Sequence, residues 1–210
     1  FSALLSSVLD NSNKLKAYID DAQKFGVVVL PPDINKSDSD FTAGESTIRF
    51  GLLAIKNVGR NISDAIVAER RRGEFRSFDE FVSRLASVDL NKRTLESLIK
   101  CGCFDSLGIS RSALLECFEE IIESEKDKKR SNISGQLDLF SMVPDPSGAI
   151  GQNSYKYPDV KEFSLKEFEY YHTQLTYFSL SHYADDPEPK ITHLFIYLHK
   201  MLDAGQIIRE

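Results

Sequence analysis

The chain has 210 residues, 41% of them apolar and 28% charged, with a formal net charge of -6; this is ordinary globular composition, with length for one or two cores. No run approaches the roughly 18 apolar residues that cross a bilayer, and no basic stretch precedes an apolar one at the N-terminus, so neither a membrane partner nor a signal peptide is expected. Cys101, Cys103 and Cys117 are an odd number at no disulfide-framework spacing, which fits a reducing cytoplasm; with no fourth ligand nearby and His172 far away in sequence, they read as core thiols rather than a zinc site.

Residues 1–9 read as the tail of a helix, and Phe1 in place of Met leads us to expect an excised segment of a longer chain. Leu15, Tyr18, Ile19 and Ala22 share one face of a helix over residues 14–25, closed by Gly26. Residues 27–30 predict a short buried strand stopped by Pro31 and Pro32. Residues 33–40, DINKSDSD, are turn chemistry. A second strand is expected over residues 47–51, making the first fifty residues a small α+β unit.

Residues 48–72, IRFGLLAIKNVGRNISDAIVAERRR, read as two helical segments about a tight turn. Leu52, Leu53 and Ile55 end the first. Asn57, Val58 and Gly59 form the turn, and Ile62, Ala65 and Ile66 follow Val58 at helical spacing. Gly59 accepts left-handed backbone angles freely, and Asn57 is the next cheapest choice. The amides from Gly59 to Ile62 are expected to be unbonded, giving a helix N-terminus suited to an anion and flanked by Lys56 and Arg60. This is the layout of a helix–hairpin–helix, which holds DNA phosphate without reading sequence. A small hairpin of this kind can also bind nothing. Residues 49–76 carry seven basic side chains against three acidic ones in an otherwise acidic chain, which suggests a polyanion partner. A solvated arginine-rich helix end is the plainer alternative.

After Gly73, Ser77 and Glu80 make a capping box for a helix with Phe78, Phe81, Val82 and Leu85 inward. A turn over residues 87–91 leads to a helix over residues 92–100 with Leu95, Leu98 and Ile99 inward, ended by Gly102. A second hairpin follows the first, and its loop offers Asn91, Lys92 and Arg93 without the glycine pattern. Ser110 caps a third long helix with Leu114, Leu115, Phe118, Ile121 and Ile122 inward, running out into the charged residues 126–130. Residues 131–158 read as a long exposed loop. It contains Gln136, Leu137, Asp138, Leu139 and Phe140, whose apolar pair Leu139 and Phe140 suits a partner's pocket, with Gln136 supplying an amide hydrogen bond. Folding back onto the chain itself is the other reading. Ser164 and Glu167 form another capping box opening a helix to about Thr173, and a last helix is expected over residues 190–204.

The stretches YIDDAQKFGVVVLPPDIN, IRFGLLAIKNVG, NKRTLESLIKCGCFDSLG and SGQLDLF, together with residues 167–182, are collinear and cover roughly residues 1–182. On these the chain resembles the alpha subunits of bacterial DNA polymerase III, the C-family replicative polymerases. The resemblance implies the end of a fingers domain over residues 1–50, a tandem helix–hairpin–helix over 51–130, a clamp-binding loop and following helix over 131–182, and a linker or the start of a C-terminal region over 183–210. It implies double-stranded DNA at Lys56, Asn57, Val58, Gly59, Arg60 and Asn61, with Asn91, Lys92 and Arg93 as a weaker second loop. It also implies a sliding clamp on Gln136, Leu137, Asp138, Leu139 and Phe140, and the other polymerase III holoenzyme subunits as partners. The family's catalytic carboxylates and their magnesium belong to a palm domain upstream, so no cofactor is expected in this segment. Asn57 stands where the hairpin usually has glycine, Ser181-His182-Tyr183 replaces the family's small-Gly-His-Pro turn, and residues 185–210 match none of the stretches above. The expected fold is mainly α, with a small α+β N-terminal part. Hairpins that serve only as a protein-interaction scaffold are the competing function. A free-standing repair enzyme is disfavoured, because no nucleophile, carboxylate pair or metal cluster sits beside the hairpin.

Overall fold

The computed structural model describes residues 1–88, 90–133 and 155–176. Gln136, Leu137, Asp138, Leu139 and Phe140, the Ser181-His182-Tyr183 turn and the helix expected over residues 190–204 lie outside the described residues.

Helix α1 (Ser2–Ser6) packs on α2 (Ser12–Lys24). The latter begins two residues before its apolar stripe suggests, because the Asn11 side chain accepts from the Lys14 amide at 3.0 Å and caps it there. Gly26 leaves the helix at φ 76, as expected of a C-terminal glycine. A three-stranded sheet follows in the order β1 (Val28–Leu30), β3 (Thr47–Arg49), β2 (Thr42–Ala43). Strand β1 runs parallel to β3 with Val29 opposite Ile48, and β2 runs antiparallel to β3 with Ala43 opposite Ile48. Strand β2 is not among the expected elements, because two residues are too few to show an alternating pattern.

The first arm of the hairpin differs from expectation. Residues Leu52–Ala54 form a single 3-10 turn rather than an α-helix. The Leu52 amide donates to the Asp38 carbonyl at 2.9 Å and the Leu53 amide to the Ser39 carbonyl at 3.0 Å. These bonds take the donors a helical ladder would need. Gly51 allows this approach, since a Cβ there would stand 2.6 Å from the Asp40 carbonyl carbon. Helix α3 (Arg60–Arg70) is the second arm, with Ile62 and Ile66 buried.

Helix α4 (Phe78–Arg84) is capped by Ser77, which accepts from the Glu80 amide at 3.2 Å. The Glu80 carboxylate reaches back to the Arg76 amide at 2.9 Å, one residue earlier than a standard capping box. Helix α5 (Lys92–Lys100) buries Leu95, Leu98 and Ile99 as expected. Cys101 and Cys103 are fully buried with their sulfurs 3.5 Å apart, and burial pushes the Cys103 thiol up from its ordinary range. A 3-10 turn (Asp105–Leu107) leads to α6 (Arg111–Ile133), which continues past the expected charged end at residues 126–130.

The far end of the loop expected to be exposed is not free of the core: Tyr155 and Tyr157 pack against it. Their hydroxyls donate to Glu120 at 2.7 Å and Asp79 at 3.2 Å. Ser164 and Glu167 then open α7 (Leu165–Thr176) as a reciprocal box, with the Ser164 amide 2.8 Å from the Glu167 carboxylate. Helices α4 and α7 lie against the α5–α6 pair, α4 on α6 and α7 on α5.

One cluster of buried side chains runs from Leu5 to Ile122 and takes in both the sheet and the hairpins. Phe75, Phe78, Phe81 and Phe104 form an aromatic group within it, with Phe104 edge-on to Phe78 at 4.9 Å and to Phe81 at 5.0 Å. Among the described residues no helix is long and apolar enough to cross a membrane.

Candidate nucleic-acid interface

The turn is built around Asn57, which sits at φ 65 and is the one non-glycine residue with positive φ among those described. Gly59 is in extended backbone at φ -84 and serves as the N-cap of α3. The left-handed position expected of Gly59 therefore falls on Asn57 alone. Val58 closes the turn with its amide on the Ile55 carbonyl at 3.2 Å and is 7% exposed, anchoring the turn to the core.

Three amides at the start of α3, those of Gly59, Arg60 and Asn61, donate to no group among the described residues, and all three residues are exposed. The expectation of four is reduced by Ile62, whose amide is taken by the Gly59 carbonyl at 3.1 Å. Donors of this kind, at the positive end of an 11-residue helix, suit an oxyanion. Arg60 is exposed and Lys56 half-buried beside them. The Lys56 amide itself donates to the Leu175 carbonyl at 3.0 Å, so the end of α7 buttresses the turn.

The second loop is brought to the same surface. Thr94 donates its hydroxyl to the Asn57 carbonyl at 2.7 Å, and the Asn57 side-chain amide donates to the Ser97 hydroxyl at 2.8 Å. The turn that leads into α3 is thus bonded to the first two turns of α5. Asn91 caps α5 by accepting from the Thr94 amide at 2.8 Å, while the Lys92 and Arg93 amides donate to no group among the described residues. Lys92 is paired with Glu119 of α6 at 2.5 Å, and that hydrogen bond holds its ammonium above the ordinary range. Arg93 is exposed. Thr94 and Ser97 are absent from the residues singled out by sequence. Their signal was two small hydroxyls three apart, next to the inward Leu95 and Leu98.

The basic island is less available than its count implies. Arg70 donates to the Ser37 carbonyl at 2.6 Å and pairs with Asp38 at 2.7 Å, with 15% of its side chain exposed. Arg49 donates to the Pro31 carbonyl at 3.0 Å, and burial lowers its guanidinium from the ordinary value against the pull of Asp33. Arg72 pairs with Glu69. Arg60, Arg71 and Arg76 remain exposed, without a salt bridge among the described residues.

A helix-hairpin-helix motif model matches residues 26–114, from just before β1 to the first turn of α6. The DNA polymerase III subunit alpha of Borreliella burgdorferi is 35% identical over 203 residues, covering 96% of this chain and 18% of that protein. The chain belongs to the DNA polymerase III alpha-subunit family. Subunits of the same name from Saccharopolyspora erythraea and Thermus aquaticus are 43% and 42% identical over 148 and 146 residues, or 70% and 69% of this chain and 12% of each relative. The chain thus spans less than a fifth of the length of these alpha subunits. A match over 96% of the chain necessarily runs into residues 185–210, which match none of the family's short stretches. Identity spread over a long alignment reveals a relationship where no short motif stands out.

Proposed function

We propose that this chain is the part of a bacterial replicative DNA polymerase that grips duplex DNA through phosphate and tethers the enzyme to its sliding clamp. The observation that carries the reading is the pairing of two helix N-termini, at Gly59 and Asn91, through Asn57, Thr94 and Ser97. Phosphate oxygens accept from the open amides of Gly59, Arg60 and Asn61, with Lys56, Arg60 and Arg93 adding charge. Backbone donors cannot distinguish bases, so the grip is independent of sequence, as a moving polymerase requires. Gln136, Leu137, Asp138, Leu139 and Phe140 serve as the clamp peptide. A weak hold on phosphate and a modest hold on a clamp reinforce each other through effective concentration.

Nucleotidyl transfer belongs to the whole polymerase, working in the bacterial cytoplasm with the other holoenzyme subunits. Among the described residues no group of His, Cys, Asp and Glu is arranged to hold a metal ion. No catalytic step is assigned to these residues.

A titration of duplex binding against salt tests the grip. Each phosphate neutralised contributes about -0.9 to the slope of log K against log salt, and two N-termini with their flanking cations predict a slope of roughly -2 to -4. Absence of binding at low salt rejects the grip. It would favour the second reading, a protein-interaction scaffold, which draws its support from the internal pairing of Arg70 and Lys92.

A further inference from the structure

Thr94 and Ser97 are 0% and 3% exposed, yet each carries a hydroxyl that a helix packed only through Leu95 and Leu98 would not need. Their bonds form a connected circuit, open at its ends. Thr94 donates to the Asn57 carbonyl, the Asn57 side-chain amide donates to Ser97, and Ser97 donates to the Arg93 carbonyl at 2.9 Å. The circuit begins at the residue whose left-handed backbone shapes the first turn and ends on an exposed residue of the second N-terminus. A glycine at position 57 would adopt the same backbone without strain but could not donate to Ser97. Asparagine therefore supplies a second function besides the turn.

We infer that Thr94 and Ser97 are positioning residues, which act through Asn57 to set the open amides of α3 and α5 at a fixed spacing so that one duplex meets both. The inference rests on the phosphate grip proposed above. Neither hydroxyl touches DNA. Loss of the circuit lets one N-terminus bind while the other misses its phosphate, which lowers the number of counterions released as well as the affinity.

The experiment follows binding of the full chain to a fluorescently labelled blunt DNA duplex by anisotropy over a series of salt concentrations, with circular dichroism to confirm folding. Ser97→Ala is expected to weaken binding about tenfold at low salt and to make the salt slope shallower by about 0.9, the contribution of one phosphate. Ser97→Thr, which keeps the hydroxyl, is expected to retain both. A folded Ser97→Ala chain with the parent's affinity and slope overturns the inference, and so does a Ser97→Thr chain as weak as the alanine variant. Should Ser97→Ala fail to fold, Asn57→Gly keeps the turn and removes the bridge; it is expected to show the same loss of slope, and a parental slope overturns the inference. A parent chain that binds no duplex at low salt fails the grip itself, an outcome distinct from variants that match a binding parent.

Discussion

The Glu162 carboxylate accepts from the Arg111 amide at 2.8 Å, across a sequence separation of 51 residues, and from the Ser112 amide at 3.1 Å. It caps α6 from a distance. The same arginine is 7% exposed, is bonded to both carboxylate oxygens of Asp105 at 2.9 and 2.7 Å, and lies 4.6 Å from the centre of the Phe168 ring. Residues on both sides of the segment over 134–154 therefore converge on one buried cation.

Glu162→Ala leaves the first amides of α6 without their acceptor, and loss of a cap of this kind costs about 1 kcal/mol. Thermal denaturation is expected to show that loss, and hydrogen exchange is expected to accelerate in residues 155–176. Unchanged exchange in α7 would show that the cap does not fasten this segment.

Gly102→Ala tests the packing around Arg111 directly. Gly102 has φ 85, and a Cβ there would lie against the guanidinium, 2.6 Å from its carbon, and 2.8 Å from an Asp105 oxygen. Backbone strain alone costs on the order of 1–3 kcal/mol, and displacing a buried ion pair adds to it. Urea denaturation is expected to place the variant among the least stable single alanine substitutions.

Leu139→Ala with Phe140→Ala is expected to abolish capture of the chain by the sliding clamp while leaving its duplex affinity unchanged, because the aromatic and aliphatic anchors of a short motif carry most of its binding energy. Clamp capture that survives the double change removes the tether from the proposal.

Tyr155 and Cys117 are among the groups that make stability fall at alkaline pH. The hydrogen bond that Tyr155 donates to Glu120 raises its phenol from an ordinary 10 to about 12. Burial raises the Cys117 thiol from 9 to about 11. The folded chain holds both protons more tightly than the unfolded one. The Cys117 contribution is therefore full below pH 9 and lost by about 11, and that of Tyr155 is full below pH 10 and lost by about 12. Tyr155→Phe is expected to flatten the upper part of this decline in unfolding experiments across pH 8–12. A parent curve without any decline would rule out these shifts.

Elements carrying a repeating apolar stripe and a cap were legible from the sequence. Helix α5 shows its stripe in Leu95, Leu98 and Ile99 and its start in Asn91, and it forms as read. The arm at Leu52–Ala54 differs from expectation, since Leu52, Leu53 and Ile55 resemble the apolar end of a helix while its amides answer to carbonyls of Asp38 and Ser39. Local pattern does not report where distant carbonyls lie. The basic residues met the same limit. Arg70 and Arg60 look alike in sequence, but only the first is folded inward against Ser37 and Asp38. Asn57, Gly59 and Arg60 could be picked out because a tight turn needs particular residues. Thr94 and Ser97 offer only two small hydroxyls three apart, a pattern that does not point to a partner turn 37 and 40 residues away.

The unbroken core from Leu5 to Ile122 has a mechanical consequence. Val58 and Ile62, beneath the turn, belong to the same packed body as Val29 and Ile48 of the sheet. Close-packed interiors transmit displacement rather than absorb it. On the proposed grip, a pull on a duplex at the turn would therefore pass to the sheet through continuous packing.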